Sequence, residues 1–191
     1  MDRRTARTER AIRTAFCSLL EQKSYARITV QDVLDEADVG RSTFYAHFDG
    51  KEDLLARLVD EICEHATTPF SPEPDHDFTE RTDEVSVVEH LLRHVQERRT
   101  GVRVLIVGAG DGTFERLLRE SLVEQADRQL PSKLPGVAGT VDRRFVVEHL
   151  AGSLVDLTVQ WAHRAFADDP RDLAESYVTL MRALFVEECA S

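Results

Sequence analysis

The sequence predicts an all-α protein of about nine helices, with a helix-turn-helix domain at the amino end and a larger helical domain after it. Apolar residues recur at intervals of three and four along almost the whole chain, which is the spacing of one helix face. Two stretches rich in proline and charge, residues 67–84 and 131–136, interrupt this pattern and are predicted to be loops. The sequence shows no internal repeat.

Short connections are predicted between the first helices. Apolar spacing places the first helix over about residues 5–23. Thr29 is the predicted cap of the second helix, with Asp32 in the capping-box position three residues later. Residues 38–40 form a turn, and the third helix is predicted to continue from there through Phe48. Two helices joined by so short a turn are typical of a helix-turn-helix.

The later helices are predicted from the same spacing. Asp49, with Glu52 three residues on, is expected to cap the fourth helix. The remaining helical segments are predicted near residues 87–95, 102–107, 114–122, 141–166 and 172–188. We therefore expect two domains, over residues 1–50 and 51–191.

Charge is unevenly distributed along the chain. The whole chain has 24 basic and 35 acidic residues, a net charge of −11, whereas residues 1–50 carry eight of each sign. Five arginines crowd the amino end: Arg3, Arg4, Arg7, Arg10 and Arg13. A basic arm on an acidic protein suggests local contact with an anion such as a phosphate backbone, and a solvated tail is the alternative.

The cysteines and the hydropathy pattern indicate a compartment. Cys17, Cys63 and Cys189 are far apart and lack zinc-site spacing, which predicts reduced, mostly buried thiols. No apolar stretch is long enough to cross a bilayer, and the chain does not open on a signal-peptide pattern. We therefore expect a cytoplasmic protein without membrane contact.

The third helix has an outward face without an acidic residue. Once the residues expected to pack internally are set aside, this face consists of Arg41, Ser42, Thr43, Tyr45 and His47. Such side chains supply the donors that phosphate groups and base edges require. The alternative is a pair of amphipathic helices in an ordinary bundle, which leaves the exposed tyrosine of an acidic protein unexplained.

The segment from Ile28 to Leu55 resembles the DNA-binding signature of the TetR family of transcriptional regulators. The residues that match the signature are Thr29, Val39, Thr43, Tyr45, Phe48, Lys51 and Glu52. Asp38 stands where many members have a turn glycine, and Gly40 stands at the usual serine cap of the third helix. Aspartate tolerates left-handed backbone geometry, and glycine is acceptable at an N-cap.

The resemblance implies a homodimer that binds a palindromic operator in double-stranded DNA. The residues expected to contact DNA are Thr29, Arg41, Ser42, Thr43, Tyr45, His47, Lys51 and, from the amino-terminal arm, Arg7. Arg41 is expected to read a base, because arginine pairs bidentately with guanine. Arg7 is expected to add affinity that depends on salt and not on sequence.

The resemblance also implies that residues 51–191 bind a small-molecule effector and form the dimer. The expected interface residues, on the last two helices, are Leu154, Leu157, Trp161, Leu180 and Leu184. The expected pocket residues are His90, Arg93, His94, Phe114, Phe145 and Trp161. His90 and His94 have the spacing of a two-histidine metal site, but the sequence offers no credible third ligand, so no metal is predicted.

The run VLIVGAGDG at residues 104–112 has the form of a strand followed by a nucleotide-binding turn. It supports an alternative function, a small S-adenosylmethionine-dependent methyltransferase. That enzyme needs a parallel sheet, and the rest of the chain offers no further strand. We therefore interpret VRVLIV as a short buried helical turn that the glycines end. We expect a regulator without catalytic residues or cofactor.

Overall fold

The computed structural model describes residues 3–67, 83–107, 112–129 and 141–185. Within these ranges the chain forms nine α-helices, a 3-10 turn over Tyr25–Arg27 and no strand, which confirms the predicted all-α class. The helices are α1 (Arg3–Gln22), α2 (Val30–Ala37), α3 (Arg41–Tyr45), α4 (Lys51–Thr67), α5 (Glu84–Glu97), α6 (Arg99–Val107), α7 (Thr113–Gln129), α8 (Arg143–His163) and α9 (Pro170–Phe185). Among them, no helix combines the length and the apolar character that a membrane crossing needs.

Helix α2 begins and ends as its sequence predicts. Thr29 Oγ1 accepts a hydrogen bond from the Asp32 backbone N–H at 3.1 Å, and Asp32 Oδ2 accepts one from the Thr29 N–H at 2.7 Å. These two bonds complete the predicted capping box. Asp38 adopts the left-handed conformation after α2, with φ 52° and ψ 49°. Gly40 then forms the N-cap of α3.

Helices α1, α2 and α3 share a core of fully buried side chains. This core includes Ile12 and Phe16 from α1, Val33 from α2 and Phe44 from α3. The Phe44 ring lies 5.7 Å from the Phe48 ring, centroid to centroid. Because every residue of α3 except Phe44 is exposed, this single ring anchors the short helix. We call residues 3–50 the head.

The remaining helices pack around α4 as it leaves the head. α4 packs against α5 and α7, α8 packs against α6 and α7, and α9 packs against α5. α6 also packs against α1. The buried residues of the head and of the later helices form one continuous cluster, so hydrophobic contacts as well as α4 join the head to the later helices.

Two local predictions in the head are wrong. α3 ends at Tyr45, and a turn separates it from Phe48, so the helix is shorter than predicted. Cys17 is exposed and not buried, because the core face of α1 is the one that carries Ile12 and Phe16. Cys63 is buried as expected, and burial raises the pKa of its thiol to about 11.

The VLIV residues are helical. Arg99–Val107 forms α6, whose buried residues are Val102, Leu105 and Ile106, so the interpretation of this segment as helical is confirmed. Gly112 has φ 78° immediately before α7, a conformation that glycine adopts without steric cost. Gly108 and Gly110, the predicted loop over 131–136 and most of the loop over 67–84 lie outside the described residues.

Candidate nucleic-acid interface

The exposed face of α3 carries hydrogen-bond donors and an aromatic ring. Arg41, Ser42, Thr43 and Tyr45 are all exposed, and Phe44 between them is fully buried. Tyr45 is 50% exposed, although an aromatic ring gains free energy from burial. One buried side chain therefore fixes the helix while four others point outward. This arrangement suits a helix that inserts into the major groove of DNA.

Helix α2 contributes a neighbour that the sequence did not reveal. Arg41 Nη2 donates to Gln31 Oε1 at 3.2 Å, and Gln31 Nε2 donates to Asp35 Oδ1 at 2.8 Å. Gln31 is exposed, on the side of α2 away from the buried pair Val33 and Leu34. Its polar side chain on the outward face of α2 was the feature of the sequence that could have identified Gln31. The exposed hydrogen bond to Gln31 orients the Arg41 guanidinium. A hydrogen bond to a base edge can take its place.

Thr29 is the N-cap of α2, and its contact with phosphate stays a prediction. Its backbone N–H and its hydroxyl both donate to Asp32 Oδ2, each at 2.7 Å. Lys23 Nζ lies 2.8 Å from the other carboxylate oxygen of Asp32. A phosphate oxygen needs a donor, and both donors of Thr29 are used while the capping box is intact.

The capping box is expected to make the stability of the head depend on pH. Lys23 and Thr29 hold the pKa of Asp32 well below its usual range. The ionised carboxylate therefore stabilises the fold fully above pH ~4, and this stabilisation is lost as the pH falls through the pKa in the folded chain. Asp32→Asn is expected to lower the Tm at neutral pH. The difference in Tm between this variant and the wild type is expected to become smaller as the pH is lowered.

Thermal melts followed by circular dichroism from neutral to acid pH measure this difference. Asp35→Asn is the matched control, because Asp35 is an exposed carboxylate of the same helix, bonded to Gln31. It is expected to have the smaller effect. A Tm difference between wild type and Asp32→Asn that stays constant with pH would contradict the assignment.

Two residues expected to reach phosphates are instead tied into the fold. His47 Nδ1 lies 3.2 Å from Glu9 Oε1 of α1, and the His47 side chain is 13% exposed. Lys51 Nζ donates to the backbone oxygens of Tyr25 and Ile28, each at 3.0 Å. It also lies 4.4 Å from the centroid of the Tyr25 ring, a cation–π contact. In these positions the two side chains hold the head together, and their contacts with phosphate stay predictions.

The amino-terminal arginines lie on a helix, because α1 begins at Arg3. Arg7 and Arg10 are exposed on it. Arg13 pairs with Glu61 of α4 at 2.7 Å and so helps to fix the head on the rest of the chain. An exposed helical cation loses less entropy on binding a phosphate than a residue of a disordered tail, so Arg7 stays a candidate contact.

A second ion pair links the start of α4 to the larger domain. Glu52 pairs with Arg116 of α7. The expectation that Glu52 takes part in the α4 cap is therefore wrong, and Asp53 Oδ2 accepts from the Asp49 N–H at 3.1 Å instead. This exposed pair joins the start of α4 to α7.

The aromatic residues expected in an effector pocket lie in three different environments. Phe114 is 4% exposed and belongs to the core. Trp161 is fully buried, and its Nε1–H donates to the Asp168 backbone oxygen at 3.1 Å. Phe145 is 64% exposed and faces solvent on α8. The role of Phe145 as a pocket wall stays a prediction.

The polar residues expected in the pocket lie on α5. Arg93 Nη2 lies 2.6 Å from Glu89 Oε1, and Arg171 of α9 lies 3.2 Å from Glu89 Oε2. The Glu89 side chain is buried, so these two arginines neutralise a buried charge and join α5 to α9. His90 and His94 face each other, with 2.8 Å between their Nε2 atoms.

The residues expected in the dimer interface are divided by the structure. Leu154 is 8% exposed and Trp161 is 0% exposed within the single chain. A side chain already buried in one chain gains little further burial from a second chain, and the interface roles of both residues stay predictions. Leu180 is 58% exposed and Leu157 is partly buried, as an interface requires. The Leu184 side chain lies outside the described part of the chain.

Helix α9 has further apolar side chains that are not fully buried. Leu173, Tyr177 and Leu180 follow one another at helical spacing on α9. Tyr177 Oη donates to the Leu150 backbone oxygen at 2.8 Å, which brings this face of α9 beside α8. We call the set the α8–α9 stripe; its members are Leu157, Leu173, Tyr177 and Leu180.

Known proteins match the head most strongly. The family model described as bacterial regulatory proteins of the tetR family matches residues 12–58. The uncharacterized HTH-type transcriptional regulator YxbF of Bacillus subtilis (strain 168) is 39% identical over 77 residues, 38% of this chain and 20% of that protein. The HTH-type transcriptional regulator EthR of Mycolicibacterium smegmatis is 39% identical over 62 residues, 32% of this chain and 29% of that protein. The matches thus span less than a third of these curated relatives.

Solved structures match over nearly the whole chain. A TetR transcriptional regulator from Streptococcus agalactiae 2603V is 29% identical, with a TM-score of 0.65, covering 94% of this chain and 96% of that one. A TetR-family transcriptional regulator from Syntrophomonas wolfei is 18% identical, with a TM-score of 0.65, covering 97% of this chain and 98% of that one. At that lower identity, the second likeness shows the fold alone.

Proposed function

The chain belongs to the TetR family of bacterial regulatory proteins. On this premise we propose that it binds a palindromic operator as a homodimer. The bound dimer would repress transcription until an effector releases it from the operator. The observation that carries the proposal is the exposed face of α3. Arg41, Ser42, Thr43 and Tyr45 point outward there without a carboxylate, in a chain of net charge −11. Residues 1–50 would read DNA, and residues 51–191 would bind the effector and the second subunit.

Homodimer formation through α8 and α9 is supported by the α8–α9 stripe. Leu180 is 58% exposed and the other three members of the stripe are partly buried, so the stripe keeps apolar area that helix pairing can bury. A closed two-fold dimer presents two copies of α3 about one turn of DNA apart, which is the geometry of a palindromic site. The stripe thus connects self-association to operator reading.

Coupling between effector and operator is supported by the position of α6. This helix packs against α1 on one side and α8 on the other. Gly101 of α6 lies so close to Leu20 of α1 that an added methyl group would sit 3.8 Å from Leu20 Cβ. An effector that shifts α6 would therefore move α1 and change the spacing of the two heads. Such an effector binds better to the state with the lower DNA affinity and shifts the population toward that state.

Residues 104–107 do not form the strand that the methyltransferase alternative requires. S-adenosylmethionine binding of the expected kind needs residues 104–107 as the first strand of a parallel sheet. Those residues form the last turns of α6. Binding of S-adenosylmethionine to the purified protein in calorimetry would revive this alternative, whereas DNA binding that weakens with salt supports the regulator.

Two arginine variants test the proposed division of labour in DNA binding. Arg41→Ala is expected to weaken binding to the operator by about 1–3 kcal/mol and to relax preference at one base position. Arg7→Ala is expected to weaken binding to all duplexes equally and to reduce the slope of log affinity against log salt by about 1. Fluorescence anisotropy with operator and random duplexes at several salt concentrations measures both. Equal losses for both variants on both duplexes would contradict the assignment.

A further inference from the structure

His90 and His94 of α5 hold their imidazoles in an unusual arrangement. Their Nε2 atoms are 2.8 Å apart, and the ring centroids are 4.6 Å apart with the ring planes at 46°. His94 is 6% exposed, and His90 is partly buried. The two Nε2 atoms therefore face each other at hydrogen-bond distance.

Glu97 determines which nitrogen of His94 is the acceptor that faces His90. His94 Nδ1 lies 2.9 Å from Glu97 Oε2, so the Nδ1–H donates to the carboxylate. In neutral His94 the remaining lone pair is then on Nε2, which faces His90 Nε2. A carboxylate that accepts from the distal nitrogen of a histidine is the usual outer partner of a metal-bound imidazole.

The spacing of the two Nε2 atoms suits one metal ion. Two imidazole nitrogens at about 2.1 Å from one ion and at right angles, as neighbouring ligands of a square-planar Cu²⁺ or Ni²⁺, are about 3 Å apart. The observed 2.8 Å is close to this value. Without a cation the two nitrogens need a proton between them, which His90 supplies when its Nε2 is the protonated one. A metal ion can replace that proton if His90 changes to the Nδ1–H tautomer.

From this geometry we infer that His90 and His94 bind one transition-metal ion of the Cu²⁺ or Ni²⁺ class through their Nε2 atoms, with Glu97 as the positioning residue. Imidazole is a preferred ligand of these ions. No cluster of three or more His, Cys, Asp or Glu side chains suited to a metal occurs within the described residues, so water would complete the coordination. Binding is independent of the proposed function, since no DNA contact is involved.

Copper(II) is the probe, because electron paramagnetic resonance counts the nitrogen ligands of the bound ion. The untagged full chain is expected to bind one Cu²⁺ with coupling to two nitrogens. His90→Ala is expected to weaken binding at least tenfold in a titration and to lose one nitrogen coupling. Glu97→Gln is expected to weaken binding about 10–100-fold with both nitrogens kept. His163→Ala, at an exposed histidine of α8, is the matched control and is expected to bind as wild type.

Affinity and nitrogen coupling that are the same in wild type and His90→Ala would overturn the inference, as would a loss of equal size in His163→Ala. Copper bound without nitrogen coupling would overturn it as well. Circular dichroism of each variant shows that it is folded. His90 and Glu97 are less buried than His94, so their variants carry the test without disturbing the core.

Discussion

Replacing Phe44 by alanine is expected to lower the free energy of unfolding by about 3–5 kcal/mol, because a fully buried aromatic ring is lost from the core of the head. Phe44 is the buried residue of α3, and it contacts the rings of Tyr45 and Phe48. Without it the short helix has no anchor, so DNA binding is expected to be lost as well. Chemical denaturation followed by circular dichroism gives the change in stability.

Tyr45→Ala is the matched control, because Tyr45 is the next residue and is 50% exposed. This variant is expected to change the free energy of unfolding by about 0.5 kcal/mol or less, as exposed substitutions do. It is expected to weaken DNA binding by tenfold or more, since a hydrogen bond to a charged phosphate contributes about 1.5–3 kcal/mol. Similar losses of stability in the two variants would contradict this assignment, in which Phe44 anchors α3 in the core and Tyr45 lies on the side proposed to contact DNA.

The second large effect is expected from Leu180→Glu. A glutamate at this exposed position of the α8–α9 stripe would place a charge in the proposed interface, where it has no compensating partner. The protein is expected to change from dimer to monomer in light scattering. Operator affinity is expected to fall by roughly 10²–10⁴, which is the gain from linking two binding sites.

Val107→Glu is the control for Leu180→Glu, because Val107 is also an exposed apolar residue, 42% exposed, but lies on α6. It is expected to leave the molar mass unchanged. The proposed interface would be contradicted if Leu180→Glu remained dimeric, or if both variants dissociated alike.

Local features of the head followed from the sequence, because their causes lie within a few residues. The capping box of Thr29 and Asp32 needs residues three apart. The left-handed Asp38 needs a residue type that tolerates positive φ. The buried Phe44 follows from its position in the apolar pattern. Each of these predictions depended on spacing and intrinsic chemistry alone.

Contacts between distant segments could not be predicted in this way. The partner of His47 is Glu9, 38 residues away, and Lys51 bonds the main chain of Tyr25, 26 residues away. A periodic pattern shows which face of a helix is buried. It does not show which polar group of a distant segment lies beside that face. His47 and Lys51 were therefore assigned to phosphate, although the fold uses them internally.

Helix α8 shows a further limit of the pattern. Apolar residues occur all round it, so the spacing does not distinguish the side that faces the core from the side that faces solvent. Trp161 and Leu154 proved to be core residues, while Phe145 is exposed. The choice of face depends on how α6 and α7 pack against α8, which is a tertiary property.

Selection of bound duplexes from a random DNA pool, with the purified full chain, tests whether two copies of α3 read DNA together. We predict enrichment of a two-fold symmetric sequence whose half-sites are centred about 34 Å apart, or one turn of the double helix. Recovery of sequences without a common motif, or of a single asymmetric half-site, would contradict the account.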